Sequence, residues 1–219
     1  MNFDFSDDQR RLQEEIRRVL TDVSTSAEVR TVLEGSAPHS AQTWSHLADL
    51  GALGIALPEI YSGSGMGHLE LCLVAEEAGR SLAAAPLFST VYLAAEAINR
   101  AGSKEQKELW LPLIASAKLV ATAVLDPRIQ RTTAAMPLTI AANRVSGSLH
   151  AVPDGMTAQL AVLLIDDQLV SLDLSAGNVT RQPVKSIDPT RPLATLHFEA
   201  AMAQSLGEKS GLQIAQSVT

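Results

Sequence analysis

The chain has 219 residues, 46% of them hydrophobic but only 4% aromatic, and a formal net charge of −7. That apolar content excludes a disordered polymer and suffices for one large or two small cores. The acidic balance excludes a phosphate-backbone binder, which carries a basic surface surplus.

The N-terminus, running from Met1 to Gln9, is acidic and lacks an apolar core region, so no signal peptide is expected. No apolar run approaches the ~20 residues that span a bilayer. The single cysteine, Cys72, rules out an internal disulfide and fits a reducing compartment, with a cytoplasmic location expected. Within Leu71-Cys72-Leu73-Val74 it reads as a buried, inert thiol.

Ser6-Asp7-Asp8-Gln9 fits a helix-starting capping box, with its acids at the positive end of the helix dipole. Leu12, Ile16, Val19 and Leu20 then make one apolar stripe at helical spacing. Arg10-Arg11 and Arg17-Arg18 share that helix with Glu14 and Glu15 and read as a solvated face. After a partly helical polar stretch, Trp44, Leu47 and Leu50 continue the pattern, with Gly51 as its C-terminal stop. A helix is predicted from about His68 to Leu82, apolar around its circumference. Pro86 suits the first turn of another, ending at Gly102. Ser103 to Gln106 repeats the capping-box pattern before Leu109, Leu113 and Ile114.

Near residue 119 the period changes. Val120–Leu125, Leu138–Ala142, Arg144–Val152, Leu160–Ile165, Leu169–Leu172, Asn178–Ile187 and Thr195–Glu199 read as strands, with Asp166-Asp167 as a turn. In the last of them Leu196 faces in and His197 out. Short strands with polar turns predict an antiparallel barrel or sandwich. Helices followed by strands mean sequential domains rather than an interleaved sheet. From about Ser205 the pattern turns helical again, through Leu206, Leu212 and Ile214. The expected organisation is a helical domain over 1–118, a β-domain over 119–204 and the beginning of a further helical domain over 205–219.

Few residues announce chemistry. The five histidines lack metal-ligand spacing, and Ser64 lacks the strand–turn–helix context of a hydrolase nucleophile. Glu76 and Glu77 point about 100° apart on a helix, so they suit a helix-surface or interdomain role rather than a carboxylate pair. The loop Tyr61-Ser62-Gly63-Ser64-Gly65-Met66-Gly67 could present amides to an anion at a helix start. It does not match G-x-G-x-x-G and follows a helix, so a tight bend between packed helices is expected.

The block from Trp44 to Leu87, with Pro58-Glu59 leading into Gly63, Gly65 and Gly67 and an apolar helix ending in Ala78-Gly79-Arg80, resembles the N-terminal helical domain of acyl-CoA dehydrogenases. Helical domain, β-domain and the start of a helical third domain are the layout of that family. The resemblance spans the chain, densest at 3–20 and 44–127 and thin in the β-domain. It implies that the β-domain is a barrel and that 205–219 opens a four-helix bundle, almost wholly absent here. It also implies FAD-dependent α,β-desaturation of an acyl-CoA thioester, in which a glutamate removes the Cα proton. That glutamate lies in the bundle, beyond Thr219, so no residue here is assigned a catalytic role.

The resemblance also places the flavin contacts. Family members carry a Thr-Glu-Pro segment followed by a Gly-rich turn and Ser-Asp. The matching positions here are Val124-Leu125-Asp126-Pro127, then Arg128-Ile129-Gln130-Arg131, so a hydroxyl donor is lost at Leu125. Where the family has Trp-Ile-Thr-Asn-Gly, this chain has Ala151-Val152-Pro153-Asp154-Gly155. The aromatic wall and the hydroxyl are gone, and Pro153 has no N–H to donate. By this resemblance Val124, Leu125, Ala151 and Pro153 occupy a degenerate cofactor site. The expected protein is a non-catalytic chain of a heteromeric acyl-CoA dehydrogenase, a heterotetramer whose homologous catalytic subunit supplies FAD and base. Two alternatives stand beside it: a catalytic subunit with a divergent flavin pocket and a base after residue 219, and a redox-inactive acyl-CoA-binding scaffold.

Overall fold

The Ser6 hydroxyl accepts from the Gln9 amide, and the Gln9 side chain accepts from the Ser6 N–H, which closes the capping box and starts α1 (Asp7–Val23). In this computed structural model residues 4–126, 136–207 and 210–218 are described. Thr25 and Ser40 cap α2 (Ser26–Leu33) and α3 (Ala41–Asp49) through their side-chain oxygens. Gly51, at φ 73°, takes the left-handed position after α3 that a side chain would strain. Two 3₁₀ turns, Ala52–Gly54 and Glu59–Tyr61, lead to α4 (His68–Arg80). Beyond Pro86 a π-helical turn, Phe88–Ala95, runs into α5 (Glu96–Ala101). Ser103 and Gln106 form the second expected capping box at α6 (Lys104–Ala115).

The β-domain has β1 (Ala121–Val124), β2 (Thr139–Ala141), β3 (Arg144–Pro153), β4 (Leu160–Ile165), β5 (Gln168–Asp173), β6 (Val179–Val184) and β7 (Leu193–Ser205). Their spatial order is β1-β4-β5-β7-β3-β2, with β6 also on β7. The pairings are antiparallel as expected except β1 with β4, which is parallel. Parallel neighbours need a crossover, and the chain supplies it by making β2 and β3 on the far side before returning. β7 is longer than the sequence suggested. Its first half lies between β3 and β6, and its last residues pair with β5. Leu196 is buried and His197 half-exposed, as the alternation predicts.

Because β7 continues to Ser205, the final helix begins later than its pattern implied, at α7 (Gly211–Val218). Asp167 in the β4–β5 turn caps it, accepting from the Leu212 amide and the Ser210 hydroxyl, both at 2.8 Å. These bonds hold its carboxyl below the usual range. Gly211 is required there, since a Cβ would lie 2.7 Å from Leu164 Cδ1.

Two apolar clusters form the interior. One runs from Ile16, Leu20, Trp44 and Leu47 through Leu71 and Val91 into Val124, Leu149, Val152 and Phe198. The other joins Ile98, Leu111 and Ile114 to Ala121, Leu125, Val162, Leu164 and Ile214. Both cross the 118–119 junction, so helices and strands share their cores.

Candidate functional site

The four positions that the resemblance assigns to a flavin sit where β1 and β3 meet the helices. Val124 and Leu125, at the end of β1, are 5% and 3% exposed. They face opposite ways: Val124 into the cluster of Leu149 and Val152, Leu125 into that of Ala121, Leu160 and Val162. Leu125 is a core residue of the α6–α7 side. Ala151, at φ 58°, forms the bulge between Leu149 and Val152 that shifts β3 against β7. Pro153 is tied to β1, its carbonyl accepting from the Thr122 hydroxyl at 2.7 Å. Packing therefore brings Val124 and the Val152-Pro153 step together and turns Leu125 away. The turn at 128–131 lies outside the described residues.

Directly after Pro153 lies a group that the motif comparison did not single out. Asp154 has φ 53°, a left-handed conformation that Asp tolerates, and is 8% exposed. The Ser89 hydroxyl, from the π-helical turn, donates to its Oδ2 at 2.5 Å. Burial pushes the Asp154 carboxyl up, against the opposing pull of Ser89, His39 and Arg191. Burial also pushes the half-buried His39 down, and its Nδ1 is enclosed without a hydrogen-bond partner. The Asp-Gly dipeptide announces a turn; its burial against a helix was not legible.

Arg181 on β6 fixes that turn from outside. Its Nη1 donates to the carbonyls of Gly155, Met156 and Ala158, and its Nη2 to that of Leu174. This desolvation lowers its guanidinium pKa.

On the helical side a cleft of about 350 Å³ lies between α4, the π-helical turn with α5, and α7. Leu71, Phe88, Leu93 and Val218 give it apolar walls. At its polar end the buried Glu96 Oε2 accepts from Arg100 Nε at 3.0 Å and lies 3.2 Å from His68 Nε2. Cys72 lines this cleft and is exposed, which corrects the expected buried thiol: Leu71 and Leu73 on either side turn inward instead. Burial among these walls pushes the Tyr92 phenol up, and its hydroxyl donates to the Leu71 carbonyl.

Two sequence features resolve as structural. Glu77 is 1% exposed, not on the helix surface, and works within the helical domain. It accepts from Arg17 Nη2 at 2.6 Å, Arg17 Nε and Arg80 Nε at 3.0 Å and Gln13 Nε2 at 3.1 Å, clamping α1 to α4. The Gly-rich loop is the expected tight bend. The amides of Gly63, Ser64, Gly65 and Met66 donate to the carbonyls of Pro58, Gly54, Leu57 and Ile55, leaving none of the four for an anion. A Cβ on Gly63 would lie 2.0 Å from the Leu57 carbonyl oxygen. Among the described residues no group of three or more His, Cys, Asp or Glu is placed to hold a metal, and no helix is long and apolar enough to cross a membrane.

The fold and this junction define a helical layer docked through shared cores on a mainly antiparallel β-domain. The family model described as "Acyl-CoA dehydrogenase, N-terminal domain" matches residues 6–118, more than half of the chain, and the chain belongs to the acyl-CoA dehydrogenase family. Acyl-CoA dehydrogenase FadE12 of Mycobacterium tuberculosis is 39% identical over 95 residues, 41% of this chain and 24% of the relative. Isovaleryl-CoA dehydrogenase of Pongo abelii is 26% identical over 179 residues, 78% of this chain and 42% of the relative. Among solved structures, a variant of the Tcur3481–Tcur3483 steroid acyl-CoA dehydrogenase matches with TM-score 0.81 and 27% identity over 96% of this chain and 61% of that one. The ChsE4–ChsE5 complex of Mycobacterium tuberculosis matches in fold, with TM-score 0.85 and 22% identity over all of this chain and 61% of that one. The chain thus spans less than half the length of these curated relatives.

Proposed function

We propose that this chain is a non-catalytic subunit of a heteromeric, FAD-dependent acyl-CoA dehydrogenase, acting on acyl-CoA thioesters beside a homologous catalytic chain. In this reading 1–118, 119–204 and 205–219 are its helical domain, its β-domain and the beginning of its bundle. The single cysteine supports a reducing, cytoplasmic setting.

The observation that carries the reading is the chemistry at the family's flavin positions. Leu125 brings no hydroxyl and is buried in the α6–α7 core. Pro153 has no N–H, and its carbonyl is engaged by Thr122. Ala151 brings no ring to stack on an isoalloxazine. These residues do not fit the cofactor. Each hydrogen bond that a bound group cannot make costs about 1–3 kcal/mol, and several together lower affinity by orders of magnitude.

The names of two structural neighbours, a paired steroid enzyme and a two-protein complex, support a heteromeric assembly.

The test is flavin absorbance of the purified chain, expressed alone and together with a homologous acyl-CoA dehydrogenase chain. The reading expects a colourless protein alone and a yellow complex on co-expression. Stoichiometric FAD on the chain alone would overturn it in favour of a divergent catalytic site.

A further inference from the structure

We propose that Asp154, Ser89 and His39 form a proton-binding junction that makes the packing of the β-domain on the helices depend on pH. This is independent of whether the chain takes part in flavin chemistry.

The geometry supplies the parts. Asp154 sits in the turn after β3 and Ser89 in the π-helical turn, so two elements meet at one buried carboxyl, and His39, in the segment before α3, acts on its charge without a hydrogen bond to it. The Asp154 amide donates to the Pro192 carbonyl at 2.8 Å, and Arg181 pins the following residues, so the backbone that carries the carboxyl is held in place.

Ser89 can serve either protonation state. Its Oγ lies 2.5 Å from Asp154 Oδ2 and 3.3 Å from the Pro86 carbonyl. Toward a carboxylate, the hydroxyl donates to Asp154, at a separation typical of O–H···O⁻ bonds. Toward a carboxylic acid, Ser89 accepts the Asp154 proton and turns its own to Pro86. The position is an amide in the Trp-Ile-Thr-Asn-Gly pattern and a titratable acid here, so the proton dependence comes from one side-chain exchange.

Among the described residues, the charged and titratable groups that act on the carboxyl are His39 and Arg191, and Arg191 also acts on Tyr92. Their effects have opposite signs. Asp154 is raised, so the folded chain keeps a proton that the unfolded chain releases; stability falls as pH climbs above the ordinary aspartate range. His39 is lowered, so the folded chain refuses a proton that the unfolded chain takes; stability falls as pH drops below the ordinary histidine range.

The experiment follows thermal unfolding of the full chain from about pH 3 to about pH 8 for wild type, Asp154→Asn and His39→Gln, a range spanning both reference values. Relative to wild type, the Asp154→Asn midpoint should gain about 3 °C or more as pH rises. The His39→Gln midpoint should gain in the opposite direction. Hydrogen exchange of amides in 87–92 and 154–158, corrected for intrinsic rate, should quicken several-fold with pH in wild type but not in Asp154→Asn. If Asp154→Asn fails to fold, His39→Gln and the wild-type exchange profile carry the test. Midpoint curves that stay parallel, or junction exchange that ignores pH, would overturn the proposal.

Discussion

Leu125→Thr restores, at one position, the hydroxyl that the family pattern carries. Leu125 is 3% exposed and belongs to the apolar cluster that also holds Ala123, Val162 and Leu164. Threonine removes two buried carbons, a transfer loss of about 1.6 kcal/mol at ~0.8 kcal/mol per methylene. Incomplete collapse of the space adds about 1 kcal/mol, and a hydroxyl in an apolar surround adds a few tenths more even if it bonds to the main chain. The expected cost is about 3 kcal/mol, which in a chain of this size lowers the unfolding midpoint by about 6–12 °C. Calorimetry measures the cost, and equilibration with FAD followed by absorbance measures any binding. The variant should be destabilised and remain colourless, because its hydroxyl points into the α6–α7 core. A loss under about 1 kcal/mol, or FAD retained by the variant alone, would refute the placement of Leu125 and the reasoning built on it.

The clamp between α1 and α4 gives a second prediction. Hydrogen bonding from Arg17 holds the Glu77 carboxyl below its usual range, so its contribution is present above that range and lost as pH falls through the lowered value. Glu77→Gln should therefore unfold at a lower midpoint than wild type near neutrality and converge with it in acid, read by circular dichroism across pH. Arg181→Ala, which strips the carbonyls of Gly155, Met156, Ala158 and Leu174 of their shared donor, should cost about 2–3 kcal/mol in denaturant unfolding. Arg181→Lys should recover only part of it, since an ammonium cannot reproduce the planar fork; full recovery would show that charge alone matters.

Much of the fold was legible because its signals are local. Both capping boxes, the stop at Gly51, the tight loop around Gly63 and the run Leu160–Ile165 depend on residues a few positions apart. Such signals act through backbone hydrogen bonds and period, which sequence displays directly. The resemblance pointed to the family. Cys72 was misjudged because its apolar neighbours imply burial, whereas at 100° per residue Leu71 and Leu73 turn inward and Cys72 outward. The extension of β7 past Glu199 and the late start of α7 were missed because pairing with β5 and capping by Asp167 are nonlocal.

By itself, then, the sequence determined the order of helices and strands, where several of them start and stop, and which side chains stand at the positions that the resemblance assigns to a flavin. The tertiary structure alone decided which way those positions face. It sent Leu125 into one core and Val124 into the other, engaged the Pro153 carbonyl through Thr122, and buried Asp154 against Ser89. The physical reason is that side-chain identity is fixed along the chain, whereas burial and charge environment are properties of elements far apart in sequence brought into contact.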